Sequence, residues 1–106
     1  MYKLANYLIE SHKKREIKLE LTTNKSESDG KNVNEIFIRP NSSKGIKPFR
    51  EVKAKLKESL PVESKIQTLG NNYIRLTCME KSPKITELYK ILKAWTELEE
   101  EKRNQI

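Results

Sequence analysis

Some segments of this chain have apolar residues at every second position, as in strands, and others have them every three or four positions, as in helices. The order of these segments restricts the chain to few folds. Between residues 16 and 22, charged and apolar side chains alternate, which predicts a half-buried strand. Two later segments carry apolar residues every three or four positions, which predicts helices. The helical positions are Phe49, Val52, Leu56 and Leu60 in the first segment and Ile85, Leu88, Tyr89, Ile91, Leu92, Trp95 and Leu98 in the second.

Taken in order, these patterns predict one α+β domain over residues 1–106 with the element order α-β-β-α-β-β-α. The predicted elements are a helix over 2–14, strands over 16–22 and 34–39, a helix from Pro48 to Pro61, strands over 62–69 and 73–79, and a helix from Ser82 onward. The polar segment 23–33 predicts a flexible hairpin loop, and the charged segment 99–106 predicts a frayed C-terminus. A four-stranded antiparallel sheet with helices on one face is the simplest way to bury the apolar stripes, and Trp95 is expected in that core.

The second half of the chain is similar to the first. One shift along the sequence pairs residues of similar type through a strand and a helix without a gap. The pairs are Phe37 with Tyr73, Ile38 with Ile74, Arg39 with Arg75, Glu51 with Glu87, Val52 with Leu88, Leu56 with Leu92 and Lys57 with Lys93. Two interpretations are open: a tandem ββα repeat, and chance similarity in a chain rich in Lys, Glu and Ile.

The chain is strongly basic, with 22 Lys and Arg against 15 Asp and Glu and a net charge of +7. An excess of this size favours nucleic acid, a membrane surface or an acidic protein surface as the partner, although solubility alone also accounts for it. Cys78 is the single cysteine, so no internal disulfide forms, which is typical of a reducing, cytoplasmic setting. No apolar run reaches the roughly 20 residues of a membrane span, and the first ten residues lack a secretion signal.

One face of the predicted sheet carries the residues most typical of a binding surface. If Ile36, Ile38, Ile74 and Leu76 face the helices, alternation turns Phe37, Arg39, Tyr73 and Arg75 to the other side, together with Lys18, Lys65 and Gln67. Aromatic rings can stack on unpaired bases while arginines bind phosphates, so this face is a candidate nucleic-acid platform. Two other interpretations remain: the first helix covers the aromatic residues, or the face forms a homodimer interface.

Basic residues also gather around the predicted middle helix, at Lys44, Lys47, Arg50, Lys53 and Lys57. Arg50, Lys53 and Lys57 follow one side of the helix, and such a ridge can track a phosphate backbone. The segment from Ser42 to Gly45 could offer backbone amides to an anion near the helix start. The alternative is a solvated helix face with a Glu51–Lys55 pair.

Residues that carry catalysis or bind metals do not cluster in the sequence. His12 is the sole histidine, and neither a Cys pair nor clustered carboxylates accompany it, so we expect no metal site and no cofactor. Cys78 alternates with Ile74 and Leu76, which favours a buried hydrophobe over a nucleophile. We therefore expect a non-enzymatic protein, while a small toxin-type RNase that works with Lys, Arg and Tyr alone stays open.

The leading hypothesis is a small module that binds single-stranded DNA or RNA through the sheet face and the basic helix. The alternative is an adaptor or inhibitor that binds a host protein through the same surface. Abundant Lys, Asn, Ile and Glu are typical of AT-rich coding DNA, which favours a low-GC bacterium, a phage or a plasmid as the source.

Overall fold

A computed structural model describes residues 2–25, 30–61, 66–68, 70, 72–79 and 82–104. Its helices are α1 (Tyr2–Lys13), α2 (Ile46–Ser59) and α3 (Pro83–Asn104), and its strands are β1 (Ile17–Lys25), β2 (Asn32–Pro40), β3 (Ile66–Thr68) and β4 (Ile74–Thr77). A short 3₁₀ helix, Ser43–Gly45, precedes α2. The α+β class and the predicted order α-β-β-α-β-β-α are confirmed.

The four strands form one antiparallel sheet in the order β1-β2-β4-β3, which confirms the predicted sheet. The two central strands are the second members of their hairpins, and each is followed by a helix. In their register Ile38 lies opposite Ile74, the residue with which the sequence repeat pairs it. This one pairing agrees with the shift seen in the sequence, while a tandem repeat of the whole ββα unit stays a prediction.

One side of the sheet and all three helices share the hydrophobic core. Alternation turns Ile17, Ile36, Ile38, Ile74 and Leu76 to this side, and all five are buried. They pack against Leu4 and Leu8 of α1, Phe49, Val52 and Leu56 of α2, and Ile85, Leu88 and Leu92 of α3. Each such side chain contributes about 1.5–3 kcal/mol by leaving water. The helices thus lie on one face of the sheet, as predicted.

The turn between α1 and β1 depends on a left-handed residue. Arg15 has φ 60 and is the only non-glycine residue with positive φ in the described ranges. Its N–H donates to the His12 carbonyl at 3.0 Å, and the Glu16 N–H donates to the Ser11 carbonyl at 3.0 Å. These two bonds are the Schellman arrangement that closes a helix, with arginine where glycine is usual.

Two helix bounds differ from the prediction. The helix α2 begins at Ile46, two residues before Pro48, because a proline anywhere in the first turn lacks only an N–H that has no helical acceptor. It ends just before Pro61, as predicted. The helix α3 continues through Asn104 instead of fraying at Glu99, and a Lys102–Glu99 ion pair of 3.7 Å lies in its last turn.

Both ends of the segment predicted as a flexible loop over 23–33 belong to strands. The strand β1 continues to Lys25 and β2 begins at Asn32, while residues 26–29 lie outside the described ranges. Polar side chains pair across these strand ends, where the Thr23 hydroxyl donates to the Asn34 amide oxygen at 2.8 Å. The strand prediction for 62–69 is confirmed for Ile66–Thr68 only, because residues 62–65 and 69 are not described.

Trp95 is mostly buried and packs against the hydrophobic core, in keeping with the position that the sequence predicts. It is partly exposed at the margin of the core, where its indole meets the His12 ring edge-on with the centroids 5.8 Å apart. One turn further along α3, Leu98 is 55% exposed. The buried part of the apolar stripe of α3 therefore runs from Ile85 to Leu92, and Trp95 continues it at the margin of the core.

Candidate functional site

The side of the sheet that faces away from the helices is here called the open face. Among the described residues, no helix lies on this side. Its side chains come from alternate positions of the strands: Lys18, Glu20 and Thr22 from β1, Glu35, Phe37 and Arg39 from β2, Gln67 from β3, and Tyr73, Arg75 and Thr77 on or just before β4. Phe37, Arg39, Tyr73 and Arg75 thus share one face, and Lys65 lies outside the described ranges.

Phe37 and Tyr73 touch at the centre of the open face. Their ring centroids are 5.5 Å apart and the ring planes are tilted by 41°. Both side chains are partly buried, so each still offers part of its ring to solvent. They meet because the pairing of β2 with β4 places Tyr73, just before β4, diagonally across from Phe37. Neither is covered by α1, which was one of the interpretations left open by the sequence.

Arg39 lies on one side of the aromatic pair in a loose ion pair. Its Nη2 is 3.1 Å from Oε1 of Glu20, and the two side chains are 44% and 48% exposed. An exposed pair of this kind contributes at most about 1 kcal/mol, because water and salt screen it. The guanidinium of Arg39 can therefore exchange Glu20 for another anion at small cost.

Arg75 lies on the other side, directly opposite Phe37 in the register, and it is held firmly. Its Nε donates to Oε1 of Gln67 at 3.0 Å, and its Nη2 donates to the same oxygen. Its Nε also lies 3.4 Å from Oε2 of Glu35, whose side chain is only 11% exposed. The other oxygen of Glu35 accepts a hydrogen bond of 2.7 Å from Asn24.

The acidic partners of the two arginines were not anticipated from the sequence. Glu20 and Glu35 occupy outward positions of predicted strands, and alternation alone identifies their face. Their contacts with Arg39 and Arg75 follow from register, because each arginine reaches diagonally to a residue on the neighbouring strand. The strand order and the register together would have been enough to predict both pairs.

The basic residues around α2 form a second surface, separate from the open face. Lys44, Lys47, Arg50 and Lys57 are exposed and Lys53 is partly buried. Because Phe49 and Val52 of the same helix are buried in the core, α2 lies on the opposite side of the sheet from Phe37 and Tyr73. The structure therefore divides the predicted site residues into two groups on different layers.

A groove at one end of the sheet connects these two surfaces. It is lined by Arg39, Pro40, Ser42, Ser43, Ile46, Asn72 and Tyr73. Two of its residues, Arg39 and Tyr73, belong to the open face, while Ser43 belongs to the 3₁₀ helix before α2 and Ile46 begins α2. This end groove is the route by which an extended ligand on the open face could reach Lys44 and Lys47.

The anion site predicted at Ser42–Gly45 stays a prediction, although the backbone amide of Gly45 is already engaged. The Gly45 N–H donates to the Ser42 carbonyl at 2.9 Å, so it is not free for a ligand. Gly45 is buried against the backbone of Glu16. The lack of a side chain at Gly45 permits this close approach between two backbone segments.

His12 and Cys78 both have structural contacts. Nδ1 of His12 lies 3.3 Å from the Ile17 carbonyl, and Sγ of Cys78 lies 3.9 Å from the Ile85 carbonyl. Burial raises the pKa of the Cys78 thiol above its ordinary value, which lowers its reactivity as a thiolate. In the described part of the chain, no three His, Cys, Asp or Glu side chains come close enough to hold a metal ion.

Comparison with known proteins adds no assignment. No family model, curated protein or solved structure matches the chain. Within the described ranges, no helix combines the length and the apolar character needed to cross a membrane. The function has to be argued from the open face and the basic surface themselves.

Proposed function

We propose that this protein binds single-stranded nucleic acid on the open face of its sheet. The observation that carries the proposal is the Phe37–Tyr73 pair, which lies between two arginines on a face that bears no helix among the described residues. Unpaired bases stack on such rings whatever their sequence, because every base has a π-face. A duplex keeps its bases stacked inside, so the rings favour a single strand.

Long-range electrostatic attraction supports the same proposal. The net charge of +7 draws a polyanion towards the protein. On the open face itself, Arg39 can release Glu20 and take a phosphate in its place, since both side chains are well exposed. Lys44 and Lys47 extend the basic surface beyond the end groove.

A second candidate function is binding of a protein partner through the same face. It is favoured by the local charge balance, because Lys18, Arg39 and Arg75 are opposed there by Glu20 and Glu35. Aromatic residues and arginine are also enriched at protein interfaces, including those of homodimers. An acidic partner or a second copy of the chain would fit this face.

The test is a titration of fluorescent single-stranded RNA and DNA at two salt concentrations. Phe37→Leu and Tyr73→Leu keep an apolar side chain but remove the ring, and each should lose about 1–3 kcal/mol of binding free energy per stacked base. The salt dependence should stay unchanged, because no phosphate contact is removed. Tyr2→Leu is the matched control, since Tyr2 is 70% exposed on α1, on the helical side of the sheet.

Two results would overturn the proposal in favour of a protein partner. One is the absence of binding to either nucleic acid near physiological salt. The other is binding that the Phe37 and Tyr73 variants leave intact while charge removal on α2 weakens it. Sedimentation of the free protein would then decide between a homodimer and a different partner.

A further inference from the structure

The two arginines of the open face differ in how firmly they are held. Arg39 has one exposed partner, Glu20. Arg75 is held by Gln67 and by Glu35, whose carboxylate is nearly buried and is itself fixed by Asn24. A guanidinium that is already ordered loses little conformational freedom when it binds a ligand. Arg75 is therefore suited to a contact that demands defined geometry, and Arg39 to a phosphate.

The contacts of Arg75 also decide which of its donors remain available. Gln67 and Glu35 engage Nε, and Gln67 takes a hydrogen bond from Nη2. The guanidinium carries five N–H groups, so those of Nη1 and one of Nη2 have no partner among the described residues. The Gln67 carbonyl is occupied by Arg75, and only its amide N–H groups are left for a ligand. This part of the open face therefore offers hydrogen-bond donors.

We infer that Arg75 gives the protein a preference for guanine among the bases that stack on Phe37 and Tyr73. This inference rests on the proposed binding of single-stranded nucleic acid. Arg75 lies directly opposite Phe37, so a base on that ring brings its edge to the guanidinium. Guanine presents two adjacent acceptors, O6 and N7, which match two N–H groups of a guanidinium. Adenine and cytosine present an amino donor at the corresponding position, which a donor surface repels.

The experiment compares oligothymidine strands in which one central base is guanine, adenine, cytosine or the deaza analogue of guanine that lacks N7. The guanine strand should bind about tenfold more tightly than the adenine strand, as expected for one bidentate contact. The deaza analogue should lose most of that gain. Matching oligouridine strands test whether the preference holds in RNA as well as in DNA.

Arg75→Lys keeps the charge next to Glu35 but removes the two parallel N–H donors of the guanidinium. It should therefore abolish the guanine preference and leave the affinity for plain oligothymidine nearly unchanged. Arg39→Lys is the matched control and should keep the preference. Gln67→Leu gives a second measurement without a change of charge, and should reduce the preference because it removes a positioning residue for Arg75. This variant decides the question if Arg75→Lys fails to fold.

The outcomes separate the two proposals. If no strand binds, the proposed function is wrong. If strands bind and lose affinity in the Phe37 variant but show no base preference, only the role of Arg75 is wrong. A guanine preference that survives in both Arg75→Lys and Gln67→Leu would also overturn that role.

Discussion

Gly45 lies so close to the backbone of Glu16 that a Cβ on Gly45 would overlap the Glu16 carbonyl oxygen. The same oxygen accepts a hydrogen bond of 3.1 Å from the Asn41 N–H. The turn that leads into α2 is thereby fixed to the residue that leads into β1. This contact joins the end groove to the rest of the sheet, although it involves no functional side chain.

Gly45→Ala should destabilise the protein by about 1–3 kcal/mol, because the added methyl group forces two backbone segments apart. Chemical denaturation followed by circular dichroism measures the loss. Ser43→Ala is the control, since Ser43 belongs to the same 3₁₀ helix and is exposed. Equal stability of the two variants would show that the backbone at Gly45 shifts without cost.

Arg15→Gly should stabilise the protein by about 1 kcal/mol. A non-glycine residue loses about 1–2 kcal/mol in the left-handed region, and glycine is free of that penalty although it is more flexible when unfolded. Lys14→Gly removes the same charge at a neighbour without positive φ, and should instead cost about 0.5–1 kcal/mol. The measurement is thermal denaturation, and the prediction fails if both variants have a lower melting temperature than the wild-type protein.

Phe49 should contribute more than Trp95 to the free energy of unfolding. Phe49 is 1% exposed, so Phe49→Ala should cost about 3–5 kcal/mol, the usual loss for a buried aromatic residue. Trp95→Ala should cost about 2 kcal/mol, because part of the indole already contacts water. Urea denaturation of both variants measures the difference, and an equal loss would mean that Trp95 is fully packed in solution.

Loss of the basic side chains along α2 should weaken the binding of long oligonucleotides more than that of short ones. The variant combines Arg50→Gln, Lys53→Gln and Lys57→Gln, and these three residues are here called the ridge. The ridge lies on the helical side of the sheet, so a strand must pass through the end groove to reach it. Strands of about 16 nucleotides should lose affinity and show a flatter salt dependence, while strands of about 4 nucleotides should change little.

The control for the ridge is an equal loss of charge on α3, with Lys84→Gln, Lys90→Gln and Lys93→Gln, all exposed positions. This variant should affect long and short strands alike and only weakly. If the ridge and α3 variants lose affinity for long and short strands to the same extent, the ridge contributes only general electrostatic attraction. The bound strand then does not run along the ridge.

Local patterns were sufficient for the element order and for the division of each strand into two faces. Alternation around Ile38 and Ile74 identifies the buried side without reference to the rest of the fold, because successive side chains of a strand point in opposite directions. The same rule assigned Phe37 and Tyr73 to the open face. The shift that pairs Ile38 with Ile74 in the sequence also pairs them across the central strands, and the tandem repeat itself stays a prediction.

What the sequence by itself determined was therefore which side chains share a face, while the tertiary structure decided which of them touch. Alternation does not specify the neighbour of a strand, and the contacts of Arg75 with Glu35 and Gln67 exist only because β4 lies between β2 and β3. The separation of α2 from the open face has the same origin. A helix buries its apolar stripe on whichever side the core forms, and burial of Phe49 on that side sets Arg50 and its neighbours one layer away from Phe37 and Tyr73.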